Sequence, residues 1–217
     1  AHKTLTLPVI GMICMNKVSK PLVLSLLLLQ GCSAINAFQV FPLIGNAIRG
    51  TPDIPITESF IGDMEYSFAK VRIGRSTNAV LTLAYINNGI YQWVSSDGGS
   101  IYTQNGRIIR TEGMSQNSHF LNPLHLPGRA ELPFSVQQLL HVTDPDALLT
   151  QNSIYTTSPN TSRVSTYEIQ EAVITEGINW SFVNTFVFDF DTGRPIKTTQ
   201  YIPPHLKPFE IEFFYKF

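Results

Sequence analysis

Two groups of carboxylates near the C-terminal end of the chain stand at spacings that could support chemistry. Glu210 and Glu212 are two residues apart, so on a strand they share one face, where paired carboxyl groups can act as acid and base on a glycosidic bond. Asp189 and Asp191, with Gly193, resemble the start of a calcium loop that lacks its downstream bidentate glutamate. A solvated strand face and a hairpin turn, with Asp191 bonding to local backbone and Gly193 at positive φ, are the simpler interpretations, and we adopt them.

Metal ligands and nucleophiles stand at no spacing that indicates a site. Both cysteines, Cys14 and Cys32, lie near the N-terminus, so the rest of the chain has no disulfide and no thiolate ligand. No two histidines have the spacing that points two imidazoles at one metal, and no phosphate loop, dinucleotide fingerprint or G-x-S-x-G motif occurs. The dispersed histidines are His119, His125, His141 and His205. We therefore expect no metal, no cofactor and no catalytic residue, with a glycan hydrolase using Glu210, Glu212 or Asp189 as an alternative.

Aromatic and arginine side chains on the predicted strands are better candidates for binding. Aromatic rings on a sheet face can stack on sugar rings, although packing in the core is their usual role. Arg107 and Arg110 are three residues apart on one strand and therefore point to opposite sides of the sheet. One of them is expected to form a structural ion pair and the other to face solvent or a ligand. Our candidate residues for binding a ligand or partner are Trp93, Arg107, Arg110 and Trp180, with Tyr91 and Tyr102 as further aromatic side chains.

Short runs rich in valine, isoleucine, tyrosine and threonine must position these side chains. Turn signals separate the runs at close spacing, which is typical of an antiparallel meander, and Asn105-Gly106 is the strongest hairpin signal. The nine runs are residues 69–73, 79–86, 90–94, 101–103, 107–111, 163–174, 178–190, 196–202 and 209–217. The pattern predicts a mainly β protein built on a single curled antiparallel sheet, a half-barrel, with a few short helices.

Three segments depart from the strand pattern. Thr57 is placed to cap a short helical turn. Residues 34–48 have apolar positions at helical spacing but contain Pro42 and Gly45, which predicts a short or broken helix. The proline-containing segment 113–153 has few β runs, so it is predicted to leave the sheet as a flap or lid with one short helix near residues 135–140.

The N-terminal region predicts export and lipidation. From Met15, a head with two lysines precedes the apolar stretch 21–29, which is shorter than the roughly 20 residues that a spanning helix needs. The next residues, Gln-Gly-Cys, resemble a lipobox, in which Cys32 is acylated and becomes the new N-terminus. We predict a leader over residues 1–31, starting at Met15, and a single lipid-anchored β domain over residues 32–217. A retained helix with Cys32 as a buried thiol is the alternative.

Composition limits the partners of this domain. The hydrophobic fraction of 43% supports a sizeable core, and 15 basic residues against 16 acidic residues give no positive field for nucleic acid. Removing the leader takes away three lysines and no acidic residue. The mature surface is therefore mildly acidic, and its contact with a membrane is expected to depend on the lipid at Cys32 rather than on anionic headgroups.

Several motifs together resemble the YjbF/GfcB family of lipoproteins. Residues 93–97 read Trp-Val-Ser-Ser-Asp, matching W-x-S-x-D, and residues 103–114 contain N-G-R-[IL]-[IV]-x-T-x-G-[LM]. Residues 180–189 and 192–213 are similar to the C-terminal strands of the family. The resemblance implies a role in group 4 capsule or other exopolysaccharide secretion in Gram-negative bacteria. It also implies a partly closed antiparallel sheet akin to the outer-membrane lipoprotein carriers, and no catalytic residue to transfer.

These observations lead to one functional expectation and two alternatives. We expect a lipoprotein of the outer membrane, on its periplasmic side, that assists assembly or export of a surface polysaccharide. It would do so by binding the glycan or the protein partners encoded in the same operon. The alternatives are a carrier of lipid or lipid-linked saccharide with an apolar concave face, and the glycan hydrolase named above.

Overall fold

The computed structural model describes residues 53–123, 125–158, 165–202, 204 and 206–217. The predicted leader, the lipidation site at Cys32 and the predicted broken helix at 34–48 lie outside the described residues.

Among the described residues, one short α-helix precedes the sheet. Helix α1 runs over Glu58–Asp63, and the hydroxyl of Thr57 accepts a hydrogen bond from the backbone N–H of Phe60 at 3.1 Å. This is the N-cap that the sequence predicted, and it satisfies one of the free N–H groups of the first turn. A 3₁₀ helix, η1, covers Arg129–Glu131. Within the described part of the chain, no helix has the length and hydropathy needed to span a membrane.

Twelve strands make up the sheet formed by the described residues, and every pairing is antiparallel. The order around the sheet is β1-β12-β11-β10-β9-β8-β7-β6-β5-β4-β3-β2, and β1 pairs with both β2 and β12, so the sheet closes into a barrel. The strands are β1 Phe68–Ile73, β2 Ala79–Asn87, β3 Ile90–Val94, β4 Ser100–Gln104, β5 Arg107–Glu112, β6 Ser118–Phe120, β7 Phe134–Val142, β8 Ala147–Thr157, β9 Thr166–Thr175, β10 Trp180–Asp189, β11 Pro195–Gln200 and β12 Phe209–Phe214.

The closed barrel corrects the prediction of a half-barrel. The nine predicted runs correspond to β1–β5 and β9–β12, which would leave an open gap between β5 and β9. Segment 113–153, predicted as a flap or lid, supplies β6, β7 and most of β8, and these three strands fill the gap. The helix predicted near residues 135–140 is also wrong, because this stretch lies in β7. Its period of two is hidden by Gln138, a polar residue on the buried face.

Hydrophobic side chains fill much of the barrel interior in two clusters. The larger one comprises Ala69, Val71, Leu81, Trp93, Ile101, Ile108, Phe120, Leu140, Val142, Ile202, Phe209, Ile211 and Phe213. The smaller one comprises Leu126, Tyr155, Ile169, Phe186 and Phe188. Strand β10 shows the period that produces this arrangement: Phe186 and Phe188 are buried, while Val187 between them is only partly buried.

Two Asn-Gly turns fix the registers of neighbouring hairpins. Gly89, between β2 and β3, has φ +77°, and Gly106, between β4 and β5, has φ +79°. Both turns place two successive residues at positive φ, which matches the twist of a hairpin. The second turn also packs across the barrel, because Gln200 of β11 donates to the carbonyl of Gly106 at 2.8 Å and accepts from the N–H of Ile108 at 2.9 Å. The hairpin predicted at Asn105-Gly106 is thus a tertiary contact as well as a turn.

Candidate functional site

A continuous row of polar and aromatic side chains crosses six strands on the outer wall of the barrel. Each member is the register partner of the next, from β2 through β7. We name this set the transverse row, and its members are Tyr85, Gln92, Tyr102, Arg110, His119 and His141. The exposed fraction is 66% for Tyr85, and His119 is also exposed. Because neighbouring Trp93, Ile101 and Thr111 are buried, the row faces outward.

Strand irregularities flank the row. The register shifts between Leu83 and Tyr85 on β2, and again between Tyr102 and Thr103 where β4 meets β5. Such bulges redirect side chains and are common beside functional sites. Here they set the directions of Tyr85 and Tyr102, two of the ring-bearing members of the row.

A groove of about 320 Å³ runs along the row. This volume is within the range of small-ligand sites, although the groove is open on the outer wall rather than enclosed. Its lining combines aliphatic residues with hydrogen-bonding groups and contains a single charged residue, Arg110. The lining residues are Tyr85, Asn87, Ile90, Gln92, Tyr102, Ile109, Arg110, His119 and Pro123.

Hydrogen bonds between its own side chains hold the centre of the row in place. Gln92 donates to the Tyr102 hydroxyl at 3.0 Å, and that hydroxyl donates to Glu112 at 2.6 Å. Glu112 also pairs with Arg110, whose guanidinium lies over the Tyr102 ring at 5.3 Å from its centroid. Four side chains are therefore coupled, so a ligand that binds them meets a partly preorganised surface.

Two titratable side chains of the row, Tyr102 and His119, are held in their uncharged forms. The hydrogen bond to Glu112 raises the pKa of Tyr102, so this phenol stays protonated. Partial burial, followed by the charge of Arg110 and the proximity of His141, lowers the pKa of His119. His119 is therefore neutral near pH 7 and presents one ring N–H donor and one ring nitrogen acceptor.

A second, separate depression of about 280 Å³ adjoins the groove on the side of β7. His119 and His141 line this part together with Arg110 and Glu112, and a ring nitrogen of His141 lies 2.6 Å from Asp146. These histidines are 22 positions apart in the sequence but opposite each other in the sheet. In the described part of the chain, no three histidine, cysteine or acidic residues are grouped closely enough to hold a metal.

Arg107 lies inside the barrel and is separate from the row. It forms an ion pair with Glu171 at 2.7 Å, and both side chains are almost fully buried. Arg107 also donates to Gln138 at 2.7 Å and bonds to Tyr155, while Glu171 accepts from Asn184 at 2.8 Å. Burial raises the pKa of Glu171, but Arg107 and the hydrogen bonds outweigh it and hold that pKa below its usual value. Arg107 is thus the arginine that forms the internal ion pair, away from the groove.

The two tryptophans pack within the protein. Trp93 is 1% exposed and donates from its indole N–H to Thr103 at 2.8 Å. Trp180 is partly buried against the larger core cluster, and its ring lies 4.4 Å from that of Phe182. Of the four residues predicted to bind a ligand, only Arg110 therefore belongs to the transverse row. Tyr102, which the sequence analysis named as a further aromatic candidate, also belongs to it.

The carboxylates that suggested catalysis lie elsewhere. Asp189 accepts from the N–H and the hydroxyl of Thr192, both at 2.8 Å, and Gly193 has φ +65°. This is the predicted hairpin turn, except that Asp189, not Asp191, bonds to the local backbone. Glu210 and Glu212 line a small cleft of about 50 Å³ beside Lys70, which lies 3.4 Å from Glu212. Such a cleft is well below the size of a ligand pocket.

Sequence reasoning did not select Tyr85, Gln92 or His119 as binding residues. Each occupies an outward position of a predicted or missed strand, and no local motif distinguishes these residues from an ordinary solvated face. The register across six strands brings them together. The available signal was the alternation of β3, which places Gln92 on the face opposite the buried Trp93. Tyr85 has the parity of the buried Leu81, and only the register shift after Leu83 turns it outward, so alternation could not have found it.

The fold and this surface define a class: a closed antiparallel barrel whose described interior is packed with two hydrophobic clusters and whose outer wall carries a ligand-sized groove. A family model described as group 4 capsule polysaccharide lipoprotein gfcB, YjbF matches residues 43–214. The chain belongs to this YjbF family, which confirms the resemblance found in the sequence. It is thus a member of a lipoprotein family associated with capsule polysaccharide.

Two curated relatives are similar to the chain over part of its length. It is 30% identical over 90 residues to the uncharacterized lipoprotein YjbF of Escherichia coli (strain K12), covering 42% of each chain. It is 27% identical over 105 residues to the uncharacterized lipoprotein GfcB of the same organism, covering 45% of this chain and 46% of GfcB. The alignments thus span less than half the length of these relatives.

The fold also resembles a crystal structure of the hypothetical lipoprotein YmcC from Escherichia coli (K12), with a TM-score of 0.58 and 21% identity. That likeness covers 73% of this chain and 88% of YmcC. At this level of identity the comparison supports the fold.

Proposed function

We propose that this protein is a lipoprotein of the outer membrane, on its periplasmic side, that assists assembly or export of a capsule or exopolysaccharide by binding the glycan along the transverse row. The observation that carries this proposal is the groove of about 320 Å³ on the outer wall of a protein from a capsule lipoprotein family. A groove on the outer wall can take an internal stretch of a long polymer without requiring a chain end.

Binding rather than catalysis is supported by the placement of the carboxylates. A glycosidase needs two carboxyl groups on either side of a bound sugar. Glu210 and Glu212 instead lie together on β12 of the outer wall, beside the cations Lys70 and Lys197. The lining of the groove of about 320 Å³ contains no carboxylate, and the adjoining depression contributes one, Glu112, which is paired with Arg110.

A filled interior argues against the lipid-carrier alternative. A carrier needs an apolar concavity that a lipid chain can enter. The inward side chains Ile108, Leu140, Phe186 and Phe209 are all 0% exposed, so no water-sized space adjoins them. The described part of the barrel interior therefore serves as a packed core.

Polysaccharide production in cells tests the proposal. Deleting the gene should lower the surface or secreted glycan, and the wild-type chain should restore it. A variant with Tyr85→Ser and His119→Ser should fail to restore it although the protein accumulates normally. The matched control is Ile174→Ser with Ile154→Ser, two exposed residues on β9 and β8, which should restore it fully. Full restoration by the row variant, or unchanged glycan after deletion, would require the proposal to be abandoned.

Membrane fractionation tests the predicted location independently. The wild-type chain should incorporate palmitate and sediment with the outer membrane, because multiple acyl chains anchor durably. Cys32→Ala should abolish both the label and the sedimentation. Persistence of either in the Cys32→Ala variant would contradict the lipid anchor without bearing on the groove.

A further inference from the structure

The groove on the transverse row has a charge balance that restricts the kind of sugar it fits. Arg110 is the charged residue of the lining, and its guanidinium is paired with Glu112. Glu112 in turn accepts from Tyr102 at 2.6 Å. The positive charge of Arg110 is thus compensated by a carboxylate of its own strand before a ligand binds.

No other lining residue adds a charge at neutral pH. The lowered pKa of His119, caused by its partial burial and then by Arg110 and His141, keeps its imidazole neutral. The remaining polar groups are the amides of Asn87 and Gln92 and the phenols of the two tyrosines. These groups both donate and accept hydrogen bonds without carrying charge.

The apolar part of the lining complements those polar groups. Ile90, Ile109 and Pro123 line the groove together with the phenol rings and the amides. Aromatic and aliphatic surfaces pack against C–H groups, and amides, phenols and a neutral imidazole pair with hydroxyls. A pyranose ring presents both kinds of surface, with C–H groups on its faces and hydroxyls at its edge.

A carboxylate or phosphate on the ligand fits less well. To bind Arg110 closely, it must approach Glu112 as well, and like charges in contact are unfavourable. Displacing Glu112 would leave this carboxylate without its ion partner. The mildly acidic mature surface adds a repulsion of longer range.

We propose that the groove on the transverse row binds uncharged sugar residues of the polysaccharide, and that any acidic sugars of the polymer lie outside it. This inference rests on the proposed function and names the substrate class of the same site. The groove therefore recognises hydroxyl and C–H patterns, with little contribution from ionic attraction.

Binding of one polymer in two chemical forms tests the inference. The probe is surface polysaccharide purified from the producing cells, used natively and after reduction of its carboxyl groups to alcohols with carbodiimide and borohydride. The full lipidated chain in detergent is titrated with each form. The two dissociation constants should agree within about threefold. Raising the salt from about 0.05 to 0.5 M should also change each constant by less than about threefold, because salt weakens only interactions between charges.

A charge variant makes the test specific to the groove. Glu112→Gln removes the compensating carboxylate from Arg110 and should create salt-sensitive affinity of the protein for an added acidic probe, polygalacturonate. Glu210→Gln, which removes the same charge from the wall at β12, should leave polygalacturonate unbound.

The outcomes separate the two proposals. Two results overturn the inference but leave glycan binding intact. One is a fall in affinity of about tenfold or more when the carboxyl groups of the polysaccharide are reduced. The other is binding of polygalacturonate by the wild-type chain that salt abolishes. If the wild-type chain binds neither form of the polysaccharide, glycan binding itself fails. Equal affinity of the Glu112→Gln and Glu210→Gln variants for polygalacturonate also overturns the assignment to this groove.

Discussion

Arg107 and Arg110 lie on the same strand and have opposite environments. Arg107 is buried in an ion pair with Glu171, whereas Arg110 is about half exposed on the outer wall and pairs with Glu112. The sequence predicted one structural arginine and one facing solvent or a ligand, but not which was which. That choice depends on Glu171 and Gln138, which come from β9 and β7 and have no sequence proximity to β5.

Breaking the buried ion pair should cost a large fraction of the stability. Glu171→Gln leaves the Arg107 guanidinium without a counter-charge in the interior, so we expect a loss of about 3–5 kcal/mol in the free energy of unfolding measured with urea. Replacing both residues, Arg107→Gln with Glu171→Gln, should cost less than the sum of the two single changes. Lys70→Gln, which breaks the partly exposed pair with Glu212, is the control and should cost below about 1 kcal/mol. Equal losses for Glu171→Gln and Lys70→Gln would contradict the assigned role.

The same pair predicts how stability depends on pH. Because the pKa of Glu171 is lowered in the folded state, its contribution is fully present above the unfolded value of about 4.3 and is lost as pH falls through the lower folded value. The urea midpoint of the wild type should therefore decline as pH falls below about 4.5. The midpoint of the Glu171→Gln variant should decline less steeply over the same pH range. Parallel pH profiles for the two proteins would show that this carboxyl is not the responsible group.

The titration of His119 tests the electrostatics of the row. Its pKa should lie below the value of about 6.5 for a free imidazole, because the ring is partly buried and Arg110 disfavours its charged form. Arg110→Gln should raise the pKa toward 6.5, as followed by the NMR shifts of the ring protons between about pH 4 and 8. A pKa of His119 unaffected by Arg110→Gln would contradict the coupling.

At the level of strands, local signals succeeded where turns and alternation agree. Runs bounded by Asn-Gly turns and strongly alternating residues predicted β1–β5 and β9–β12 closely. They failed for β6–β8, since β6 has only three residues and β7 carries Gln138 on its buried face to bond Arg107. The interior polar network thus obscured the strand pattern, and with it the closure of the barrel.

The two Asn-Gly turns provide a matched test of tertiary packing by a hairpin. Alanine at Gly89 or at Gly106 would have the same unfavourable positive φ. The two sites differ in space: a Cβ at Gly89 meets nothing within 4 Å, whereas a Cβ at Gly106 would lie 2.6 Å from Pro195. We expect Gly89→Ala to cost about 1 kcal/mol and Gly106→Ala to cost at least about 1 kcal/mol more, from the clash. Urea unfolding of the two variants measures this difference. A cost for Gly106→Ala no greater than that for Gly89→Ala would mean that this turn does not pack against β11.

Across the described part of the molecule, the barrel separates the buried packing from the proposed binding surface. The inner face carries the apolar clusters and the Arg107–Glu171 network, while the outer wall over β2–β7 carries the transverse row. The family and the β class could be predicted from sequence motifs. The row could not, because it depends on the register of six strands, on two bulges, and on two strands, β6 and β7, that the alternation did not reveal.

Site-specific crosslinking in polysaccharide-producing cells tests the central claim most directly. A photoreactive amino acid is placed at Tyr85, on the row, or at Ile174, which is 64% exposed on β9 outside the groove lining. After illumination, the protein is isolated and its attached carbohydrate is measured. We predict polymeric glycan attached at position 85 and at most a background level at position 174. Glycan attached at position 174 but not at position 85 would contradict binding along the transverse row.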